Sequence, residues 1–304
     1  MTNPLLSLCI PTNGILEWVK PVLESIYRDS NINVSLYEVI VADNGNNTDF
    51  TAYMEQLTQK YYNLKYVKTG VDGFLNQIEC FKLANGEYIK FINHRMKLLD
   101  GSLSYLVDFV EKYQKDKPVT YFLNGSLNLP TRSFYDSFDS FMNALTYFSS
   151  WSGGIGVWKK DFFSIQNYEH VSDLFPHFLF LTCNVTSNHY IIDNKKLLES
   201  VDQDSSKKGK YNLFYAFGVE YPGILLDLLR RKKISSSTFV HIKNDLKYFL
   251  AGLYLDFVVQ KKTCSYELDN ACGYIDIFFD FRELLVPIFK QSVKKVLYKV
   301  GIKG

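Results

Sequence analysis

The five cysteines (Cys9, Cys80, Cys183, Cys264 and Cys272) are odd in number and include no Cys-x-x-Cys pair. No disulfide framework is expected, and a reducing compartment is the simpler setting. Charge of one sign is also missing. The chain has 34 basic and 32 acidic residues, a net charge of +2, so no global field gathers nucleic acid. No stretch reaches the ~18 uninterrupted apolar residues of a spanning helix. Asp256 breaks the run over 248–259, and Glu220 and Pro222 break the one near Phe214. The first residues lack a basic segment, so no secretory signal is expected. There is no Gly-x-Gly-x-x-Gly and no Walker loop, which argues against NAD and ATP. Tryptophan is scarce, with 3 residues, whereas 24 Phe and 22 Tyr lift the aromatics to 16 %. Such rings can stack on sugars and bases but are read here mostly as core and interface. No internal repeat or low-complexity segment is present.

What remains is an ordinary globular composition, 47 % hydrophobic and 22 % charged over 304 residues. Folding a chain this size hides about three quarters of its surface, enough for a full core. The first ~100 residues alternate in period. Apolar strand-like runs at 5–12, 37–42, 64–68 and 87–92 alternate with helical spacing at 17–28, 48–61, 74–83 and 102–113. Thr48 or Asp49 can cap the second helix. This βαβ order predicts a doubly wound, mostly parallel α/β sheet, with ligands beyond the carboxyl ends of its strands. Those ends fall at 12–14, 43–47, 69–73 and 93–97, four polar loops converging on one crevice. Further along, the pattern predicts strands at 119–123, 155–158 and 189–194 and helices at 134–148 and 173–181. From Tyr211 onward only helices are expected, with 202–210 as the linker.

Asp43-Asn44-Gly45-Asn46-Asn47 follows a strand. Its carboxylate suits a ribose or base edge, but an Asx-turn closing a βα unit would use the same residues. Pro11-Thr12-Asn13-Gly14, Asp43-Asn44-Gly45 and Ala84-Asn85-Gly86-Glu87-Tyr88-Ile89 together resemble the inverting family 2 glycosyltransferases of the GT-A fold. The subgroup most similar is the abequosyltransferase-type O-antigen and capsule transferases. The resemblance is clear over 5–105, and fainter over 145–195 at Gly154-Ile155-Gly156-Val157-Trp158, Pro176-His177 and His189-Tyr190-Ile191-Ile192. Beyond 200 nothing matches.

The resemblance implies a GT-A fold with a donor half over 1–118 and an acceptor half over 119–200, and the helical pattern beyond it marks a C-terminal region over 201–304. It implies that Pro11, Thr12, Asn13, Asp43, Asn44 and Asn76 hold the nucleotide of a sugar donor. The sequence departs from the family after the fourth strand. Where the family carries an Asp-x-Asp or Asp-Asp-Asp for Mg²⁺ or Mn²⁺, this chain has His94-Arg95-Met96. Arg95 and Met96 are not hard-cation ligands, and His94 is a poor one. His94, Arg95 and Lys97 are therefore expected to hold the diphosphate by charge, with no metal cofactor required. The alternatives are an inactive site or a solvated basic loop. A base must take the acceptor proton. Asp173 is best placed and His177 is second, although Ser172 or Asp173 can equally cap a helix. His189 could touch phosphate, or be structural.

The chain closes on an amphipathic pattern over 283–300, with Phe289, Val293, Val296, Leu297 and Val300 on one face and Lys290, Lys294, Lys295 and Lys299 flanking it. That suits an anionic membrane surface reached through 285–304, or equally a helix docked on its own domain or on a second subunit. The basic run 230–233 adds to the membrane reading. The activity that the resemblance implies is transfer of a sugar, with inversion in that family's manner, from a nucleotide-sugar donor to a lipid-linked saccharide, for bacterial surface polysaccharide, at the cytoplasmic face of the plasma membrane. The rival is a non-catalytic GT-A relative that binds nucleotide or glycan or scaffolds a partner transferase. A third reading is an enzyme that uses a monophosphate-linked donor.

Overall fold

A computed structural model describes residues 3–28, 32–165, 171–201 and 209–299. Its strands are β1 (Leu6–Thr12), β2 (Tyr37–Asp43), β3 (Leu64–Lys68), β4 (Tyr88–Phe91), β5 (Met96–Leu98), β6 (Val119–Phe122), β7 (Arg132–Tyr135), β8 (Ile155–Trp158), β9 (Tyr190–Asp193) and β10 (Leu198–Ser200). Its helices are α1 (Leu16–Tyr27), α2 (Thr48–Lys60), α3 (Asn76–Lys82), α4 (Ser102–Tyr113), α5 (Phe138–Leu145), α6 (Lys159–Phe163), α7 (His177–Leu181), α8 (Leu213–Tyr215), α9 (Tyr221–Arg230), α10 (Ser236–Leu253), α11 (Ala271–Asp276) and α12 (Phe281–Lys299).

The chain divides into two units. One comprises Met1–Phe141 with Ser149–Gln203, and the other Met142–Phe148 with Asp204–Gly304. In the first, the described strands form a sheet of order β3-β2-β1-β4-β8-β6-β9-β7. The run β3-β2-β1-β4 is parallel, β8 lies antiparallel to both β4 and β6, β9 is parallel to β6, and β7 is antiparallel to β9. Hence β1, β2, β4, β6 and β9 all end at the same edge. A separate antiparallel pair joins β5 to β10.

The central strands are apolar on both faces because helices cover both. Leu6, Leu8 and Ile10 of β1 join Val19, Val22 and Ile26 of α1 and Leu106 and Val110 of α4 in one core. On the other face, Cys9 Sγ lies 3.6 Å from Cys80 O of α3. All five cysteines are free thiols. The Ala84-Asn85-Gly86 motif has a structural role. Glu38 accepts from Asn85 N (2.5 Å) and Gly86 N (3.1 Å), and Ser7 Oγ also accepts from Gly86 N (2.8 Å). A Cβ at Gly86 would stand 2.6 Å from Ser7 N, so only glycine fits the turn.

Several local expectations are corrected. Asn47, not Thr48 or Asp49, caps α2, accepting from Asp49 N (3.0 Å) and Phe50 N (3.2 Å). The stretch read as one helix over 134–148 begins as edge strand β7 and only then forms α5. The helix expected over 173–181 begins at His177, because Ser172 Oγ accepts from Phe175 N (3.0 Å) and closes a turn before it. Most of the expected linker, 202–208, lies outside the described residues.

The second unit is helical. Ser235 caps α10 by accepting from Thr238 N (3.2 Å), and Ile242, Leu246 and Leu250 form its buried stripe, which Leu255 extends in the π-helical turn Tyr254–Val259 that continues the helix. Lys247 to Glu283 (2.9 Å) and Gln291 Nε2 to Tyr248 O (2.8 Å) tie α10 to α12. Among the described residues, no helix is long and apolar enough to cross a membrane.

Candidate active site

The register pairs Thr12 with Asp43 and Asp43 with Lys68, which brings three strand ends level. Asp43 is wholly buried. Its Oδ1 accepts from Gly45 N (2.8 Å), the Asx-turn, and its Oδ2 accepts from Tyr66 OH (2.8 Å) and Lys68 Nζ (2.9 Å). Lys68 Nζ also donates to Gly45 O. A buried carboxylate needs such partners, because its desolvation costs several kcal/mol. Asn44 N donates to Thr12 O (3.0 Å), and its side chain donates to Val71 O (2.8 Å). A Cβ on Gly45 would meet Asn13 O at 2.0 Å, so the loops after β1 and β2 touch through backbone. Asn76 is buried and bridges the same loops. Its Nδ2 donates to Ala42 O (2.8 Å) and Thr12 O (3.5 Å), and its Oδ1 accepts from Thr69 Oγ1 (2.8 Å). Pro11, Thr12, Asp43, Asn44 and Asn76 thus form one braced edge, on which Asn13 is exposed.

The loop after β4 joins this edge. Thr12 Oγ1 lies 2.9 Å from His94 Nδ1 and accepts from Gly14 N (3.1 Å). The arrangement that uses every group has Thr12 donating to Nδ1, which leaves the proton of the neutral His94 ring on Nε2. Trp18, in the first turn of α1, meets His94 edge-on at 5.2 Å and lies under the Arg95 guanidinium at 4.2 Å. Arg95 is only 8 % exposed. Burial, and then the Arg95 charge, hold His94 down to about 4. It is therefore neutral near pH 7, which corrects the expectation that a protonated His94 assists the diphosphate. Lys97 sits in β5 opposite Glu199 of β10 and pairs with it at 2.9 Å. A neutral, hydrogen-bonded imidazole, a guanidinium and a thioether do not fit a hard divalent cation. Among the described residues, no cluster of three His, Cys, Asp or Glu side chains could hold a metal.

The acceptor-half candidates are separated by environment. Asp173 is exposed. His177 is buried, with Nε2 3.1 Å from Ser149 O and Nδ1 without a partner, and burial holds it down to about 4. Buried and neutral, it suits a structural role better than proton transfer. His189 is exposed in the turn before β9, where its N–H donates to Ser187 Oγ (3.1 Å).

Two charged groups escaped the sequence reading. Lys90 is 1 % exposed and donates to Phe91 O (2.9 Å), Gly153 O (2.8 Å) and Ile155 O (3.0 Å), and burial pushes it down to about 7. It fastens the loop before β8, where Tyr121 OH donates to the carbonyl of Trp151. Asp193 is also fully buried, at the end of β9. Its Oδ2 accepts from Arg132 Nη2 (2.8 Å), Arg132 Nε (3.1 Å) and Tyr105 OH (2.7 Å). The only available signal was a lone charge inside each apolar run, which does not reveal its partners.

Residues 7–147 match the model of the family described as Glycosyl transferase family 2. No curated protein matches the sequence significantly. Among solved structures, S. aureus TarS 1-349 is similar at TM-score 0.58 and 15 % identity, over 91 % of this chain and 82 % of that one. The same protein with UDP-GlcNAc is similar at TM-score 0.53 and 16 % identity, over 85 % and 76 %. The Pyrobaculum calidifontis mannosyltransferase PcManGT, with GDP-Man and Mn²⁺, is similar at TM-score 0.51 and 12 % identity, over 98 % and 89 %. Identities this low show the fold alone, and that fold is the α/β GT-A fold, built here around a stretch, 7–147, that matches Glycosyl transferase family 2.

Proposed function

We propose that the chain transfers a sugar from a nucleoside-diphosphate donor to an acceptor hydroxyl, with the nucleotide at the carboxyl ends of β1 and β2. The observation that carries this is the convergence of the loops at Thr12, Asp43, Asn76 and His94 on one edge of a GT-A sheet. The matched family and the UDP-GlcNAc and GDP-Man in similar structures support a nucleotide-sugar as the ligand class. In this reading Asn13 and Asn44 contact the base and ribose, and Asp43 fixes the loop that carries Asn44.

The acceptor oxygen attacks the anomeric carbon, the bond to the β-phosphate oxygen breaks, and the nucleoside diphosphate leaves. Attack from the face opposite the leaving group inverts the centre. The exposed carboxylate of Asp173 takes the hydroxyl proton, a role better suited to it than to the buried His177. Negative charge grows on the β-phosphate. Arg95, preorganised on Trp18, supplies the opposing charge through its donor fork, while the neutral His94 offers a hydrogen bond. Lys97 adds less, because Glu199 already pairs with it.

The acceptor in this reading is a lipid-linked saccharide of bacterial surface polysaccharide, of the O-antigen or capsule kind, met at the inner face of the plasma membrane. The outer side of α12 supports the membrane part. Leu285, Val286, Phe289 and Val293 are exposed there, Phe289 to 69 %, beside Lys290 and Lys294. Val296 and Val300 were expected on the same face, but nothing is described of their side chains. A second copy of the chain is the other partner this face would suit. Thermal shift with UDP, GDP and their sugars, with and without EDTA, tests the donor site by mass action. The buried and fully engaged Asp43 favours one rival, a relative that binds nucleotide without turning it over. Binding without transfer would establish that rival.

A further inference from the structure

The C-terminal unit carries a groove of about 500 Å³, formed by α10, the turn Tyr254–Val259 that continues it, α12 and Tyr147. One wall is aromatic. Tyr147 and Phe249 stack with centroids 4.7 Å apart, and Tyr248 beside them is 50 % exposed. Gly252 and Leu253 also line it, and Asp245, Asp256 and Gln291 supply its polar groups. Gln291 Nε2 donates to Tyr248 O, which leaves its Oε1 against Gly252, where a Cβ would come within 3.0 Å of it. Gly252 therefore keeps the floor open.

The charges are balanced. Asp256 is held by Lys262 at 2.8 Å and by Lys295, and Asp245 faces His241 at 3.9 Å. A phosphate or nucleotide would meet two carboxylates, and a cation would compete with ammonium groups already in place. The exposed Tyr248 ring offers dispersion to the C–H face of a pyranose, while the Asp245 carboxylate and the Gln291 amide oxygen accept its hydroxyls. The volume lies within the roughly 300–1,000 Å³ of small-molecule sites.

We propose that this groove binds a neutral saccharide of a few sugar units. Its assignment as the non-reacting part of the acceptor rests on the transferase reading above; the saccharide site itself does not. The full chain is screened on an array of neutral, anionic and cationic glycans, beside Tyr248→Ala, Asp245→Asn and Gly252→Leu, with circular dichroism as the check on folding. Neutral oligosaccharides should be retained by the wild type. Tyr248→Ala should bind them about 3- to 10-fold more weakly, the worth of one aromatic contact. Asp245→Asn should also weaken them, and Gly252→Leu should abolish retention. Failure of the wild type to retain any neutral glycan, or equal retention by folded Tyr248→Ala and Gly252→Leu, overturns the site. Thermal shift with UDP and GDP on the same samples reads the donor site separately. A nucleotide shift without glycan binding removes the groove alone. Groove-dependent glycan binding without any nucleotide shift removes the transferase reading and leaves the groove standing.

Discussion

Thr12 Oγ1 and His94 Nδ1 lie 2.9 Å apart although 82 positions separate them, which ties the loop after β1 to the loop after β4. The imidazole, neutral and braced by Trp18, helps to hold the edge together.

Asp43→Ala should weaken binding of a nucleoside diphosphate roughly tenfold, about 1.4 kcal/mol, because Gly45 N, Tyr66 and Lys68 lose the carboxylate that fixes the loop carrying Asn44. Lys68 and Tyr66 lose their acceptor in the same variant, so its melting temperature should fall as well. Calorimetry on the folded fraction separates the two effects. Wild-type affinity there would move the nucleotide away from this edge.

Sugar transfer should survive EDTA, and Arg95→Ala should lower kcat by about 10²-fold, as loss of one donor from a preorganised anion site does. Arg95→Lys keeps the charge without the fork and should fall between. Abolition of turnover by EDTA and its recovery with Mn²⁺ would show that a metal is required after all.

Acid should weaken the fold between about pH 6.5 and 4. Burial holds His177 at about 4 against an ordinary 6.5, so the unfolded chain takes up the proton first as pH falls. Stability is full above 6.5 and drops by up to about 3 kcal/mol by pH 4 from this residue alone. Urea midpoints across that range should show the slope, and His177→Gln should flatten part of it. An unchanged slope in the variant would assign the acid sensitivity elsewhere.

Lys90 acts at the other end of the scale. Its ammonium is held at about 7 against 10.5, so the folded state sheds this proton first and its penalty fades as pH rises from 7. Other groups titrate near pH 9, so the informative quantity is the difference from Lys90→Met. Wild type should gain up to about 3 kcal/mol relative to that variant between pH 7 and 9. Parallel stability curves would mean that the three carbonyl partners restore the ammonium's ordinary value.

Vesicles rich in anionic lipid should bind the full chain through α12, and salt should weaken the attachment. Phe289→Asp with Leu285→Asp places charge on the exposed face and should reduce cosedimentation several-fold. Equal cosedimentation of variant and wild type would favour a second subunit as the cover for that face.

The strands of the parallel half were legible because each is a short apolar run closed by turn residues, a local pattern. The helix over Ser102–Tyr113 was legible because the apolar spacing of Leu103, Leu106, Val107 and Val110 is contained in its own residues. The four loops at the sheet edge followed from topology alone, since parallel strands must end on one side. Tertiary contacts decided the rest. β7 reads as helix from its aromatic spacing, and only pairing with β9, which begins 55 positions later, makes it a strand. Asp43 reads as an open ligand contact until β3 places Lys68 and Tyr66 against it. Lys97 reads as a spare cation until β10 sets Glu199 opposite. Periodicity records which face of an element is apolar, because that depends on neighbours in sequence. Whether a polar group is satisfied depends on neighbours in space, and only the sheet register and helix packing bring those together.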